Sequence, residues 1–165
     1  LSRLDYEGMA KSDRINVVMA VKDATKSLNI ASSRLEYTLP EQKMVYIDGS
    51  KTMIEDLFLI LLDNAIKYSP ANSPISIDVS TNGRTCKIKV SNQGDGIAKK
   101  DIDKIFERFY RGESADKRGK SSGYGLGLSL AKRIISLHDG TISVSSTPGV
   151  TTSFLVSLPQ VRKNR

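Results

Sequence analysis

With 165 residues, 39% of them hydrophobic, the chain can fill a single core, and its only cysteine, Cys86, excludes an intrachain disulfide or a cysteine-based metal site. The net charge of +7 suits phosphate ligands, acidic partners or nucleic acid, but without a zinc-finger spacing, an aromatic RNA-binding signature or a basic helical stripe we expect no nucleic acid to be bound. No apolar run reaches the roughly 18 to 20 residues that span a bilayer and no signal peptide opens the chain, so we expect a soluble, cytoplasmic fragment.

The first part of the chain predicts a helix and two short strands after a polar start. Residues 1–12 are polar with a few leucines and are predicted to be the remnant of a preceding helical domain, or a linker from it. Apolar residues recur at helical spacing across residues 17–32, which indicates an amphipathic helix. Two short strands are predicted at residues 34–39 and 44–47, with Pro40 in the turn between them.

A long helix and a hairpin are predicted next. Ser50 can cap a helix that continues to Tyr68, and Ser69-Pro70 ends it. Alternating segments at residues 75–80 and 85–90 flank Asn82 and Gly83, which predicts a hairpin with a tight turn. One apolar face of the long helix is formed by Ile54, Leu57, Phe58, Leu61, Leu62 and Ala65.

The last third of the sequence predicts two helices, at residues 101–106 and 126–137, with a polar loop or lid between them at residues 111–122. Two strands are predicted after the second helix, at residues 141–145 and 152–158. Most predicted strands are adjacent in sequence, which favours antiparallel pairing. The fold class is therefore predicted to be α+β. We expect a two-layer sandwich whose mixed, mostly antiparallel sheet of about five strands is covered on one face by about three helices.

Two glycine-rich segments are candidates for ligand binding. Residues 123–128 (GYGLGL) place three glycines at alternate positions before a helix, so the backbone can approach a phosphate closely and present amide hydrogens to it. The run lacks the terminal lysine of a P-loop and does not follow a strand, and by itself a plain turn explains it equally well. Residues 92–97 (NQGDGI) follow a strand directly, where the glycines permit either close approach of a flat base or a simple hairpin exit.

A third candidate lies on the long helix. The amide oxygen of Asn64 is a suitable ligand for Mg²⁺, Lys67 can meet a phosphate one turn away, and Tyr68 offers an aromatic ring to a base. Each could equally be an ordinary residue near a helix end. The three candidate segments are best interpreted together, from the order in which they occur along the chain.

In that order, residues 13–159 resemble the catalytic and ATP-binding domain of a bacterial sensor histidine kinase, within the gyrase, heat-shock chaperone, histidine kinase and mismatch-repair ATPase superfamily (the Bergerat fold). The match rests on residues 61–70 (LLDNAIKYSP) as N box and 106–111 (FERFYR) as F box. It also rests on residues 123–130 (GYGLGLSL) and 149–154 (GVTTSF) as glycine boxes. The F box separates the kinases from other branches of the superfamily.

The resemblance implies a role for each matching residue. It implies that Asn64 binds Mg²⁺, that Lys67 contacts a phosphate and that Tyr68 forms a wall for adenine. Arg111 would hold the γ-phosphate during transfer, so that Asn64, Lys67 and Arg111 form the catalytic set. The remaining nucleotide-binding residues would be Asn92, Gly94, Gly96, Ile97, Tyr110, Gly123, Tyr124, Gly125, Leu126, Gly127, Leu128 and Thr152.

The sequence departs from the family pattern at three positions. Asn92 stands where many relatives have an aspartate that accepts the adenine amino hydrogen, and the loss of charge assistance predicts weaker nucleotide affinity. Ile60 replaces a second asparagine, and Thr151 replaces a glycine of the final box. A degenerate scaffold that binds no nucleotide, or another ATPase of the superfamily, therefore remains an alternative.

The resemblance also implies partners beyond ATP and ADP. The phosphate would pass to a histidine on the protein's own dimerisation and phosphoacceptor domain, then to a response regulator, in a homodimeric protein whose membrane anchoring stays open. The only histidine, His138, is not that acceptor, because it ends the helix after the glycine run rather than preceding the N box; a structural role at the helix C-terminus is predicted instead. The expected domains are residues 1–12, the catalytic domain at 13–160 and a basic tail at 161–165.

Overall fold

The computed structural model of the protein describes residues 13–42, 44–110 and 127–162. The predicted lid at residues 111–122 therefore lies outside the described residues. So do residues 1–12, the predicted remnant of a helical domain, and most of the glycine run at residues 123–128. Three α-helices are present in the described ranges: α1 (Val17–Ser27), α2 (Lys51–Tyr68) and α3 (Gly127–Leu137). Seven strands accompany them: β1 (Asp13–Asn16), β2 (Leu35–Thr38), β3 (Tyr46–Gly49), β4 (Ile75–Thr81), β5 (Thr85–Gln93), β6 (Thr141–Thr147) and β7 (Thr151–Pro159).

The main sheet has five strands in the order β2-β4-β5-β7-β6. Only the β2-β4 pair is parallel, so the predicted α+β sandwich with a mixed, mostly antiparallel sheet is confirmed. The expectation that neighbouring strands pair fails for β2 and β3. Strand β3 instead pairs antiparallel with β1 in a separate two-stranded sheet. The sequence does not predict β1, because this strand forms by pairing with a distant segment and leaves no local pattern.

Two predicted helices differ from the structure. Helix α1 ends at Ser27 rather than residue 32, because Asn29 adopts a left-handed conformation with φ +52° and a 3₁₀ turn follows at Ser32–Arg34. The helix predicted at residues 101–106 is wrong. Amide groups at Asp101 and Lys104 bond to the carbonyl three residues earlier, which gives a chain of turns rather than an α-helical ladder.

Helix α2 lies at the centre of the core, and its predicted cap is confirmed. The hydroxyl of Ser50 accepts a hydrogen bond from the amide of Met53 at 3.4 Å. The apolar face predicted for this helix is buried, and it packs against α1, α3 and the inner face of the sheet. On that inner face every second residue of the central strands is buried, as in Ile75, Ile77 and Val79, while polar residues alternate on the outer face.

His138 follows the last residue of α3 and links that end of α3 to the start of α2, in agreement with its predicted structural role. Its ring is buried, Nδ1 lies 2.7 Å from the carbonyl oxygen of Ile134, and Nε2 accepts the amide hydrogen of Ser50 at 3.0 Å. Because a carbonyl only accepts and an amide only donates, the imidazole is neutral with its hydrogen on Nδ1. The bond joins the start of α2 to the end of α3, so the two helices run antiparallel. A Cβ built on Gly127, at the start of α3, would accordingly lie 3.5 Å from Cγ2 of Ile60.

Candidate nucleotide-binding site

The loop after β5 fits between the end of α2 and the turn that joins β6 to β7. Gly94 has φ +153°, and a Cβ there would lie 2.2 Å from the carbonyl oxygen of Tyr68, the last residue of α2. Gly96 has φ +77°, and its Cβ would lie 2.7 Å from Oγ of Ser146 and 2.9 Å from Cα of Pro148. Real Cβ atoms do not approach neighbours so closely, so both positions require glycine. The absence of side chains at these positions lets three elements meet.

Hydrogen bonds fix this loop to the β6-β7 turn. The amide of Ile97 donates to Oγ of Ser146 at 2.8 Å, and the amide of Gly149 donates to the carbonyl of Asp95 at 3.1 Å. The loop is thus held from both ends by the main sheet rather than lying free on the surface. Loops positioned by a rigid scaffold are the usual place for binding residues.

Three polar side chains form a row across the sheet beside this loop, and we call Asn92, Thr152 and Ser146 the polar row. Asn92 pairs with Thr152 across β5 and β7, and Thr152 pairs with Ser146 across β7 and β6. Asn92 and Thr152 are each only 7% exposed, and they are polar residues on a sheet face that otherwise carries apolar core residues. Polar groups placed among apolar ones at the end of a sheet are suited to orienting a ligand in a mostly apolar pocket.

The hydrogen bonds of Asn92 set the direction of its amide. Nδ2 donates to the carbonyl oxygen of Gln93 at 2.9 Å, and this assignment is forced because a carbonyl can only accept. Within the described residues, the carbonyl oxygen Oδ1 has no hydrogen-bond partner, and no fully buried side-chain nitrogen or oxygen lacks one. Oδ1 therefore keeps access to the space beside the sheet as an acceptor.

The end of α2 brings together the three residues that the sequence predicted there. Asn64, Lys67 and Tyr68 are separated by three and four positions, so they share one side of the helix, and all three are partly buried. Lys67 Nζ lies 2.7 Å from Oδ2 of Asp63 in an ion pair along the helix. The cation predicted to contact a phosphate is thus already paired, but with a partly exposed carboxylate that binds it weakly.

The F box segment packs onto the sheet and α3. The ring of Phe106 meets that of Phe154 edge to face at 6.2 Å, and Nζ of Lys132 on α3 lies 5.7 Å from the Phe106 ring centre. The hydroxyl of Tyr110 donates to the buried carboxylate of Asp101. These contacts place Tyr110 beside the core.

Several predicted site residues lie outside the described residues: Arg111, Gly123, Tyr124, Gly125 and Leu126. Of the glycine run only Gly127 and Leu128 are described, as the first residues of α3. Sequence reasoning also missed three residues next to the site. Ser146 and Asp101 make side-chain contacts that depend on strand register or on the turn geometry, which no local pattern displays. The contact of Asp63 with Lys67 follows from their i,i+4 spacing on α2, a local signal that could have identified it. Cys86 takes no part, since burial raises the pKa of its thiol to about 12.

The family of the chain follows from its agreement with known proteins. Residues 49–162 match the family model described as Histidine kinase-, DNA gyrase B-, and HSP90-like ATPase. The chain belongs to this family. The match confirms the ATPase superfamily that the sequence resemblance predicted.

Sensor kinases are among its curated relatives. The chain is 35% identical over 162 residues to the Sensor-like histidine kinase SenX3 of Mycobacterium tuberculosis, which covers 96% of this chain and 39% of that protein. It is 37% identical over 123 residues to the Sensor histidine kinase WalK of Bacillus subtilis, covering 73% of this chain and 20% of that protein. The chain therefore spans well under half the length of these relatives.

Solved structures share the fold. The mycobacterial sensor histidine kinase MprB has a TM-score of 0.79 at 22% identity, covering 92% of this chain and 100% of that chain. The catalytic domain of histidine kinase ThkA, in a nucleotide-free form, has a TM-score of 0.75 at 21% identity, covering 91% of this chain and 98% of that chain. Full-length ShkA in complex with AMPPNP has a TM-score of 0.76 at 18% identity, covering 99% of this chain and 34% of that chain. No helix in the described ranges of this chain is long and apolar enough to cross a membrane.

Proposed function

We propose that this domain binds ATP with Mg²⁺ and transfers the γ-phosphate to a histidine on a helical domain of the same protein, for onward passage to an aspartate of a response regulator. The observation that carries the proposal is the junction of α2, the loop at residues 94–97 and the polar row. These elements carry the N box and the glycine-rich segment at residues 92–97. A simple turn would not need Gly94 packed against α2 and Gly96 packed against the β6-β7 turn.

The base end of the proposed site consists of the polar row and the loop beside it. Oδ1 of Asn92 would accept a hydrogen from the adenine amino group, with Thr152 next to it in the sheet. Gly94 and Gly96 would shape the base pocket by holding the loop close to α2 and to the β6-β7 turn. Tyr68, Ile97 and Tyr110 would supply the apolar walls, since all three are partly buried.

The phosphate end would be formed by the end of α2 and the start of α3. Asn64 offers an amide oxygen, an acceptable ligand for a hard cation that keeps several of its waters. Lys67 would exchange Asp63 for a phosphate oxygen, and the cost of that exchange is small because the pair is partly exposed to solvent. Arg111 and residues 123–128 would complete this end, with Gly127 and Leu128 at the positive end of the α3 dipole.

Phosphoryl transfer asks a protein mainly for position and charge compensation. Mg²⁺, when bound, neutralises phosphate charge. The residues of this chain would orient the nucleotide from both ends and keep the base in place while the acceptor histidine approaches. Among the residues that the structure describes we identify no general base, and the acceptor histidine with its neighbouring acid would lie on the preceding domain.

We further propose that residues 1–12 belong to the connection with that domain, that residues 13–160 form the catalytic domain and that residues 161–165 are a basic tail. The full-length protein would act as a homodimer.

Two measurements test the proposed function. Calorimetric titration with a non-hydrolysable ATP analogue, with and without Mg²⁺, should show binding that requires the metal; absence of binding would favour a nucleotide-independent scaffold. Incubation with ATP and the isolated acceptor hairpin should then give acid-labile phosphohistidine on the hairpin. Label found only on serine would favour a different ATPase activity of the superfamily.

A further inference from the structure

We infer that Ser146 is a positioning residue for base selection: it orients the hydroxyl of Thr152 so that this hydroxyl donates to the nucleobase. The inference rests on the proposed function, because it concerns the base end of the same site. Ser146 lies outside the four sequence boxes. Its position is nonetheless decisive, since it links the loop at residues 94–97 to the polar row.

The argument begins with the hydrogen of the Ser146 hydroxyl. Oγ accepts the amide hydrogen of Ile97 at 2.8 Å, so its own hydrogen must go elsewhere. Two acceptors are in reach, Oγ1 of Thr152 at 2.9 Å and the carbonyl oxygen of Thr151 at 3.4 Å. Hydroxyl hydrogen bonds span roughly 2.5 to 3.0 Å, so the Thr152 hydroxyl is the better acceptor.

This arrangement leaves the hydroxyl hydrogen of Thr152 available for donation. When Ser146 donates to Thr152, the Thr152 hydroxyl keeps its own hydrogen for another acceptor. Within the described residues Oγ1 of Thr152 has no hydrogen-bond partner besides Ser146. Asn92, its neighbour in the row, presents the acceptor Oδ1, because its Nδ2 is held by the carbonyl of Gln93.

The row thus presents an acceptor followed by a donor. Adenine carries the complementary pair on one edge: the 6-amino group donates and N1 accepts. Hypoxanthine carries the reverse pair, because O6 accepts and N1 donates. A buried site built for one pattern leaves groups unpaired with the other, which is the strongest source of discrimination between similar ligands.

The test compares ATP with inosine triphosphate (ITP), which differs from ATP only at this edge. The wild-type domain should bind ATP more tightly, and Ser146→Ala should reduce the ratio of the two affinities by about 5- to 10-fold, the value of one hydrogen bond. Ser146→Thr, which keeps the hydroxyl, should restore it. Ser146→Cys keeps the volume with weak hydrogen bonding, so it should fall between alanine and serine and serves if the alanine variant does not fold.

A matched control lies on the other face of the same sheet. Ser91 and Ser153 form a cross-strand hydroxyl pair at 2.8 Å, so Ser153→Ala removes a similar contact away from the polar row. It should leave the ratio within twofold of wild type. An equal loss of selectivity in Ser153→Ala would mean general loosening of the sheet, and the inference would be wrong.

Combining substitutions separates positioning from plain stability. Thr152→Val should lower the ratio by itself, and adding Ser146→Ala should lower it no further, because Ser146 acts through Thr152. Additive losses, or an unchanged ratio in a folded Ser146→Ala protein, would overturn the inference while leaving ATP binding intact. Failure of the wild-type domain to bind either nucleotide would instead count against the proposed function.

Discussion

The two ends of the proposed site differ in how much of their geometry is already built. At the base end, the polar row and the loop at residues 94–97 are joined by backbone and side-chain hydrogen bonds of 2.8 to 3.1 Å. At the phosphate end, the described residues offer Asn64 and a lysine that pairs with its own helix. The base end is preorganised, whereas the phosphate end must exchange a contact to act. We therefore expect the nucleotide base to bind to a site that is already formed. The dependence of ATP binding on Mg²⁺ should come mainly from the residues of α2.

The largest effect should come from Asn64→Ala, which removes the proposed Mg²⁺ ligand. Changes in the surroundings of a metal commonly cost 10- to 100-fold in metal affinity, so loss of a ligand should weaken Mg²⁺-dependent ATP binding by about 100-fold. Titration calorimetry with and without Mg²⁺ measures it. Glu55→Ala, on the exposed side of the same helix, is the control and should bind as wild type. Full binding by Asn64→Ala would remove this residue from the metal site.

The next effect concerns the junction between the two ends. Gly94→Ala would force a Cβ to within 2.2 Å of the Tyr68 carbonyl, and backbone cannot move away cheaply. We expect a loss of about 2 to 4 kcal/mol in the free energy of unfolding, measured by urea denaturation. Gly83 also has positive φ, but a Cβ there meets nothing within 4 Å, so Gly83→Ala should cost only the backbone strain of about 1 kcal/mol. Equal costs at both glycines would show that the loop is not pressed against α2.

At the base end, Asn92→Asp should move affinity and stability in opposite directions. A carboxylate accepts the adenine amino hydrogen with charge assistance, so ATP binding should tighten by about 3- to 10-fold. The same change replaces Nδ2, now 2.9 Å from the Gln93 carbonyl, with an oxygen that repels it, at a cost of about 1 kcal/mol in unfolding free energy. Paired binding and denaturation curves separate the two effects. Unchanged or weaker ATP affinity would mean that the asparagine departure does not weaken the pocket.

The same contrast explains what the sequence could and could not predict. Helix α2, its Ser50 cap and the β4-β5 hairpin follow from local periodicity and turn residues, and the sequence predicts all three, although β5 continues to Gln93 rather than ending at residue 90. Strand β1 and the pairing of β2 with β4 depend on segments about 30 to 40 positions apart, so no local pattern reveals them. Ser146 was missed for the same reason, since its bond to Ile97 spans 49 positions. Sequence motifs predict which residues form the candidate site, whereas strand register determines which of the described residues are in contact.

The smallest effect should come from Asp63→Asn, which removes the ion pair between Asp63 and Lys67 at the phosphate end. An exposed pair four positions apart on a helix contributes about 0.3 to 0.5 kcal/mol, so ATP affinity should rise by about twofold when Lys67 no longer has to leave Asp63. The gain should shrink as salt is raised, because salt already weakens the pair in the wild type. Titrations at low and high salt measure it, and Asp78→Asn, whose partner Lys89 lies on the sheet, is the charge-matched control. Weaker binding by Asp63→Asn alone would mean that the carboxylate serves the nucleotide or its metal directly, and the phosphate end would then be more fully built than its ion pair indicates.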